Sequence, residues 1–271
     1  NHATFTWYVN GKVFRKGPGI TSITVPSGTS GNLTTVSVDV DTVDLGIISN
    51  ETSFRPAEVS LVWESDGYVP PFYKGKALEL YGSSFKVTAL PEFFTSNGKK
   101  IDPKTLIYTW KKNGTTDGEQ SGYGKESFKS TQASYVRGGD IISVEVSNND
   151  RSLGASKSFM LSPQSADVVL YENSPLYGIL YEKALDSAFT LTAEELTLHV
   201  EPFNFSTHNP LGGSLSLDWS MNGTNLSSVQ NNTELLIRKT GKISGQSIIN
   251  LSIQHKDKML QGGQTSITIF Q

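Results

Sequence analysis

A short motif, a tryptophan followed by two spacer residues and Asn-Gly, occurs three times and limits the possible folds more than any other feature. The copies begin at Trp7, Trp110 and Trp219, roughly 105 positions apart. Alternating apolar residues lead up to each tryptophan, which places the indole on one face of a strand. Asn-Gly accepts the positive φ angles of a tight hairpin turn. A core strand with an inward tryptophan that leads into a hairpin is typical of an immunoglobulin-like sandwich.

The recurrence predicts an all-β chain of tandem immunoglobulin-like β-sandwich domains arranged as an elongated rod. A length of 271 residues fits two or three domains. We place the boundaries in two short, proline-containing junctions, which gives domains at 1–56, 57–163 and 164–271. Connectors of this kind restrict the relative orientation of neighbouring domains.

The first predicted domain is incomplete. Its Trp7 hairpin is followed by apolar segments at 20–25, 36–41 and 47–54, but the strands that precede the later tryptophans have no counterpart. A half sandwich leaves its inner face and its sheet edges open. We therefore expect upstream residues or a strand from a neighbouring subunit to complete it. The chain begins without a methionine, and we interpret it as a processed or excised piece of a longer protein.

The other two predicted domains share one plan along their whole length. Each contains the segment Lys-Ala-Leu after its first strand, at 76–78 and 183–185. Strands are predicted at 59–63, 85–89, 142–146 and 157–161 in the middle domain. The third domain has them at 168–172, 196–200, 235–237, 249–253 and 266–270.

Charge and composition exclude several classes of function. A net charge of −3 offers no basic field for a phosphate backbone, so we predict no nucleic-acid partner. There is no cysteine, which excludes disulfides, thiol catalysis and sulfur-ligated zinc. No apolar run reaches the roughly 20 residues that a membrane helix needs, and no signal peptide is recognisable.

We find no catalytic constellation and predict that the chain is not an enzyme. Its four histidines are scattered and include no His-Glu-x-x-His pair. A Gly-x-Ser-x-Gly elbow, a phosphate-binding loop and a dinucleotide fingerprint are also missing from the sequence. No cofactor is predicted, apart from a calcium ion at the acidic cluster described next.

The best acidic cluster is formed by Asp39, Asp41 and Asp44. Asp39 and Asp41 project from the strand face opposite the valines, and with Asp44 they could supply oxygen ligands to calcium. The alternative is a solvated outer face whose charges discourage pairing with another sheet edge.

An aromatic and proline-rich segment in the middle domain is the candidate interaction surface. Its residues are Tyr68, Pro70, Pro71, Phe72 and Tyr73. Exposed aromatic residues and prolines on a loop favour binding. The segment could instead pack over the open edge of its own domain or against the preceding domain. A related segment at 176–181 favours that structural role.

Asn-x-Ser/Thr sequences are unusually frequent. They begin at Asn32, Asn50, Asn113, Asn204, Asn222, Asn225, Asn231 and Asn250. One interpretation is glycosylation of a secreted protein. The other is turn chemistry, because asparagine followed by small residues suits tight turns.

The segments Leu61–Trp63, Tyr68–Leu78 and Tyr108–Gly114 together resemble a family of surface proteins predicted from candidate phyla radiation bacteria. That family is built of tandem Ig-like, PKD-like domains. The segment from Val169 to Leu185 is similar to the family's last domain. Ordinary PKD domains differ from this chain, because they carry an acidic, glycine-rich turn where it has Asn-Gly. The resemblance implies an exported or surface-displayed protein, and it assigns no enzymatic residues.

Together these observations predict a non-enzymatic cell-surface or extracellular structural protein that acts as an adhesin, spacer or fibre subunit. Its expected partners are other protein subunits, joined in part by strand complementation. The alternatives are a ligand- or carbohydrate-binding module of an exported protein and an accessory component of a secretion or pilus complex.

Overall fold

A computed structural model describes residues 3–42, 45–130, 139–239 and 245–271. The prediction of an all-β chain is confirmed, because strands account for 54% of the structure and helix for 2%. The chain divides into two compact units. The first comprises Asn1–Val62, Thr88–Phe128 and Ile142–Phe159, and the second comprises Trp63–Val87, Lys129–Ile141 and Met160–Gln271. The boundaries near 56 and 163 stay a prediction.

The N-terminal strands form one antiparallel sheet. Its members are β1 (Thr4–Val9), β2 (Lys12–Pro18), β3 (Thr34–Thr42) and β4 (Gly46–Phe54), in the spatial order β2-β1-β3-β4. The β1–β2 hairpin turns through Asn10 (φ 49°) and Gly11 (φ 76°). Positive φ at both central positions is the geometry that makes Asn-Gly a hairpin turn. The structure contains no second sheet built from the described residues of this N-terminal segment.

The middle strands form two sheets. They are β5 (Glu58–Ser65), β6 (Phe85–Glu92), β7 (Ile107–Lys112), β8 (Thr115–Thr116), β9 (Gly122–Tyr123), β10 (Ser127–Ser130), β11 (Asp140–Ser147) and β12 (Gly154–Leu161), with a 3₁₀ turn at Pro103–Thr105. One sheet has the order β10-β6-β5, and the other has the order β12-β11-β7-β8 with β9 also paired to β7. In the first compact unit, Tyr108 and Trp110 on β7 are fully buried with Val144 on β11.

The C-terminal strands also form two sheets. They are β13 (Asp167–Ser174), β14 (Gly178–Ile179), β15 (Ala188–Thr190), β16 (Glu195–Phe203), β17 (Leu215–Met221), β18 (Thr224–Asn225), β19 (Glu234–Arg238), β20 (Gln246–His255) and β21 (Gly262–Phe270), with a 3₁₀ turn at Ser227–Val229. The orders are β14-β13-β16-β19 and β15-β21-β20-β17-β18. Alternate residues of β20 close the core around Trp219, and Ile249, Leu251 and Ile253 are at most 1% exposed. We call this the third sandwich.

The three tryptophan motifs occupy equivalent places in their sheets. Each indole nitrogen donates a hydrogen bond to a main-chain carbonyl 13 or 15 positions further along the chain: Trp7 to Ile20 (2.8 Å), Trp110 to Lys125 (2.8 Å) and Trp219 to Asn232 (2.9 Å). Each tryptophan also lies opposite an apolar residue of an antiparallel neighbour: Val38 on β3, Val144 on β11 and Leu251 on β20. One strand arrangement is therefore used three times.

Two segments show how the apolar pattern and the strands differ. The apolar residues of segment 20–25 suit a strand, yet no strand forms there. β10 was not predicted, because Ser127–Ser130 contains a single large apolar residue, Phe128. Segment 20–25 has the composition of a strand, and what it lacks is a partner to supply the interstrand hydrogen bonds. In the described ranges, no helical segment has the length and apolar character to span a membrane.

Candidate functional site

The first sheet presents an open apolar face. Phe5 and Trp7 on β1 share this face with Val40 and Val38 on β3, with which they pair directly. Val36, two positions further along β3, lies on the same face and is already buried. Trp7 and Val38 are only partly buried. Their counterparts in the other two motifs, Trp110 with Val144 and Trp219 with Leu251, are at most 1% exposed. The positions that form the core around Trp110 and Trp219 thus carry apolar side chains in the first sheet too, but there they are partly exposed to solvent.

Segment 20–25 lies where the third sandwich has β19. The position can be counted from the carbonyl that accepts the indole hydrogen bond. In the middle strands this is Lys125, and β10 begins two residues later; in the third sandwich it is Asn232, and β19 begins two residues later. In the first motif the acceptor is Ile20, so the same count reaches residue 22. β19 pairs with β16, whereas segment 22–25 pairs with no strand in the described part of the chain. It therefore occupies the position of a strand but has no paired neighbour among the described residues.

The predicted calcium ligands are only partly described. Asp39 lies on the outer face of β3, where it accepts a hydrogen bond from Ser49 Oγ at 2.6 Å. A side-chain hydrogen bond with the Asp39 carboxylate raises the pKa of Tyr8. Asp41 is exposed on the same face, and Asp44 lies outside the described residues. No group of three potential metal ligands occurs among the residues that the structure describes. The calcium site stays a prediction.

The aromatic segment from Tyr68 to Tyr73 packs on the third sandwich. The Phe72 ring stacks on Tyr181 at 3.9 Å between centroids and meets Tyr171 edge-on at 6.0 Å. Tyr73 meets Phe203 edge-on at 5.5 Å. Pro70 is buried, whereas Pro71 is exposed. The sequence suggests the segment's own domain or the preceding one as its packing partner, whereas in the structure the segment contacts the third sandwich. Such a contact between distant segments leaves no local sequence signal.

A buried carboxylate holds this contact together. Glu201 on β16 is 4% exposed and accepts hydrogen bonds from the hydroxyl groups of Tyr68 (2.9 Å) and Tyr181 (3.0 Å). His199 Nε2 lies 3.2 Å from the same carboxylate, and its Nδ1 lies 3.6 Å from Glu234. Burial and the hydrogen bond to Glu201 raise the pKa of Tyr181 to about 12. The same two causes raise the pKa of Tyr68 still further. Both hydroxyl groups therefore remain donors at neutral pH.

Main-chain pairing reinforces the contact. The Tyr68 amide donates to the Phe205 carbonyl and the Asn204 amide donates to the Tyr68 carbonyl, both at 2.7 Å. The side chain of Asn204 accepts from the Leu78 amide at 2.8 Å. Gly67 permits this approach, because a Cβ atom there would lie 2.6 Å from the Asn204 carbonyl oxygen. The two segments thus meet as closely as paired strands.

A second polar cluster lies beside it. Gln261 is fully buried, and its amide nitrogen donates to the Tyr81 carbonyl (3.0 Å) and to the hydroxyl groups of Ser83 (3.2 Å) and Ser206 (2.9 Å). Its side-chain oxygen accepts from the Ser206 amide at 3.0 Å. Buried polar groups that are fully hydrogen-bonded fix one arrangement of their surroundings. We call the contacts around Glu201 and Gln261 the polar clamp.

Several of the Asn-x-Ser/Thr sequences are explained by turn chemistry. Four of their asparagines have positive φ: Asn113, Asn204, Asn222 and Asn231. The Asn222 side chain accepts a hydrogen bond from the Ile248 amide at 2.8 Å. Asn204 is buried, and its side chain accepts a hydrogen bond from the Leu78 amide. Asparagine tolerates left-handed backbone better than other non-glycine residues. The structure thus supports the turn interpretation at these four positions.

Strand order settles the fold family. The third sandwich places β13, β16 and β19 in one sheet and β17, β20 and β21 in the other, which matches the A-B-E and C-F-G sheets of immunoglobulin domains. A buried tryptophan on the C strand, here Trp219, is the further hallmark. The chain has the immunoglobulin-like fold. The middle strands follow the same order, and the first sheet retains only the C-F-G side.

Comparisons with known proteins find only weak similarities. No family model and no curated protein matches the chain. Immunoglobulin domains 1–4 of Sidekick-1 are 14% identical over 99% of this chain and 67% of theirs, with a TM-score of 0.29. A structure of a 1.5-MDa bacterial ice-binding adhesin is 11% identical over 100% of this chain and 85% of its own, with a TM-score of 0.27. Fibronectin(III)-like modules of Clostridium thermocellum CbhA are 11% identical over 77% of this chain and 93% of their own, with a TM-score of 0.25. Likenesses this weak carry no information on function.

Proposed function

We propose that the protein is a non-enzymatic structural protein of the cell surface or extracellular space, and that it links to other subunits by accepting a β-strand that pairs with residues 22–25 and covers the open face of its first sheet. The open apolar face around Trp7 carries this proposal. A face with core composition but no covering sheet favours the addition of a strand, which supplies main-chain hydrogen bonds and side-chain burial together.

The third sandwich provides a template for the added strand. β19 pairs in antiparallel register with β16, so that Leu235 lies opposite Leu198 and Ile237 opposite Leu196. By the count from the indole acceptor, Ile23 corresponds to Leu235, and Val25 corresponds to Ile237. The incoming strand would therefore run antiparallel to residues 22–25 and carry apolar side chains at alternate positions.

The polar clamp supports a spacer or fibre role for the same molecule. Within the second compact unit, main-chain pairing, stacked rings and a buried carboxylate join the Tyr68 segment to the third sandwich in one arrangement. A contact of this kind resists bending more than a bare linker does. The resemblance to tandem PKD-like surface proteins supports an extracellular location, and membership of that family is part of this proposal.

Sedimentation velocity of the purified full chain over a range of concentrations tests strand acceptance. We expect concentration-dependent self-association, or binding of a synthetic peptide with the sequence of Glu195–Phe203. Ile23→Lys should weaken either interaction at least about tenfold, because it would bury an unpaired charge against the added strand.

Thr24→Lys is the matched control, because Thr24 is exposed and corresponds to the exposed Leu236 of β19. Its association should equal that of the unmodified protein. A protein that stays monomeric at every concentration and ignores the peptide would contradict strand acceptance, as would equal effects of the two lysines.

A further inference from the structure

We propose that a cleft beside Arg55 binds a saccharide that bears a carboxylate group, a binding activity separate from the structural role proposed above. The cleft lies within the first compact unit and has a volume of about 580 Å³. Its walls include Phe54 at the end of β4, Phe94 after β6, and Leu153 before β12. A volume of this size is typical of small-ligand sites.

Arg55 supplies the positive charge of the cleft. Its Nη1 donates to the Gly31 carbonyl at 2.5 Å and its Nε to the Ser96 carbonyl at 3.4 Å, and these bonds hold the guanidinium in place. A guanidinium has five N–H donors, so three are left for other partners. No carboxylate pairs with Arg55 among the residues that the structure describes. A fixed cation without an acidic partner favours an anionic ligand.

The surroundings of Arg55 add to this positive charge. Residues that line the cleft include neither aspartate nor glutamate. Lys100 forms a bridge with Phe94, and residues paired in this way carry their side chains on the same face. Lys100 is exposed, so its ammonium group is available to the solvent beside the cleft. Asp150 contributes a carboxylate in the neighbouring β11–β12 turn, where it accepts from the Ser152 amide and hydroxyl.

The remaining lining fits a sugar ring. Phe54 is 37% exposed and, with Leu33 and Phe94, offers an apolar surface to the C–H face of a pyranose. Ser96 and Asn148 add hydrogen-bonding groups at the same cleft, which suit a ligand rich in hydroxyl groups. Positive charge from Arg55 and Lys100, an aromatic surface and hydrogen-bonding groups together match an acidic saccharide better than a neutral one.

Isothermal titration of the full chain with trigalacturonate tests the site, and galactotriose serves as the neutral ligand of the same ring. We expect trigalacturonate to bind at least about tenfold more tightly than galactotriose, since a charge-assisted contact distinguishes them. Arg55→Gln should abolish that preference. Arg55 also donates to two main-chain carbonyl groups, so its replacement could disturb the structure of the cleft. Ser96→Glu is therefore a second variant, which keeps Arg55 and places a competing carboxylate at an exposed position beside the guanidinium.

Ser228→Glu is the control, since Ser228 is exposed in the 3₁₀ turn of the third sandwich and far from the cleft in sequence. It should bind trigalacturonate like the unmodified protein, whereas Ser96→Glu should bind at least about tenfold more weakly. Equal binding of the two trisaccharides would overturn the proposal. Absence of binding, or an equal loss in the Ser228 and Ser96 variants, would overturn it as well. Strand acceptance by the first sheet is not affected by any of these results.

Discussion

Replacing Trp219 by alanine is expected to lower the free energy of unfolding of the third sandwich by about 3–5 kcal/mol. The indole is fully buried, and its nitrogen donates to the Asn232 carbonyl, so the substitution leaves both a large cavity and an unpaired acceptor. Trp110→Ala should have an effect of similar size for the same reasons. Trp7→Ala should cost clearly less, about half as much, because Trp7 is only partly buried.

Urea unfolding followed by circular dichroism measures this series. Trp63→Ala is the matched control, since Trp63 lies outside the repeated motif on β5 and is only partly buried beneath the Lys76 ammonium, 3.3 Å from the ring centroid. Loss of that cation–π contact and of partial burial should cost about 1–2 kcal/mol. Equal effects of the Trp7 and Trp219 substitutions would show that the first sheet has a closed core, contrary to our description.

Replacing Glu201 by alanine should have the second large effect. We expect it to lower the free energy of unfolding by about 2–4 kcal/mol. The substitution removes the acceptor of the Tyr68 and Tyr181 hydroxyl groups and leaves both donors without a protein partner. The consequences should concentrate at the contact between the Tyr68 segment and the third sandwich. Limited proteolysis should therefore cut the Tyr68–Leu78 segment faster in the variant, in addition to the shift in unfolding.

Glu195→Ala on the same strand is the control. Glu195 pairs with Arg238 at 2.7 Å, but both side chains are more than half exposed, so the pair should contribute less than about 1 kcal/mol. If the two substitutions destabilised the protein equally, and proteolysis of the Tyr68 segment were unchanged, the polar clamp would have no special role in stability.

The sequence predicted the fold because its strongest signals are local. Alternation up to each tryptophan and the Asn-Gly turn that follows depend on neighbouring residues only. The polar clamp was missed because Glu201 meets Tyr68 across 133 positions, and nothing near Glu201 distinguishes it from a solvated strand residue. The sequence predicts an interaction surface at Tyr68 and Phe72, with packing inside the protein as the alternative, but the residues they contact depend on tertiary structure that a local pattern does not contain.

Segment 20–25 shows the reverse case. Its apolar residues predict a strand, and the residues around Trp7 prepare a place for one. A strand nevertheless forms only where a neighbour supplies the hydrogen bonds, and among the described residues no counterpart of β16 pairs with this segment. Under the function we propose, this segment is the one with which a partner strand would pair.

Amide hydrogen exchange of residues 22–25 tests the account most directly. These amides donate to no acceptor in the described part of the chain, whereas β19 is paired throughout with β16. In the dilute monomer we predict rapid exchange at Ile23 and Val25 and strong protection at Leu235 and Ile237, because alternate amides of the edge strand β19 face β16. The Ile23 and Val25 amides should become protected when the protein associates or binds the Glu195–Phe203 peptide. Strand-like protection of residues 22–25 in the monomer, or no change on association, would contradict the claim that the first sheet awaits a strand.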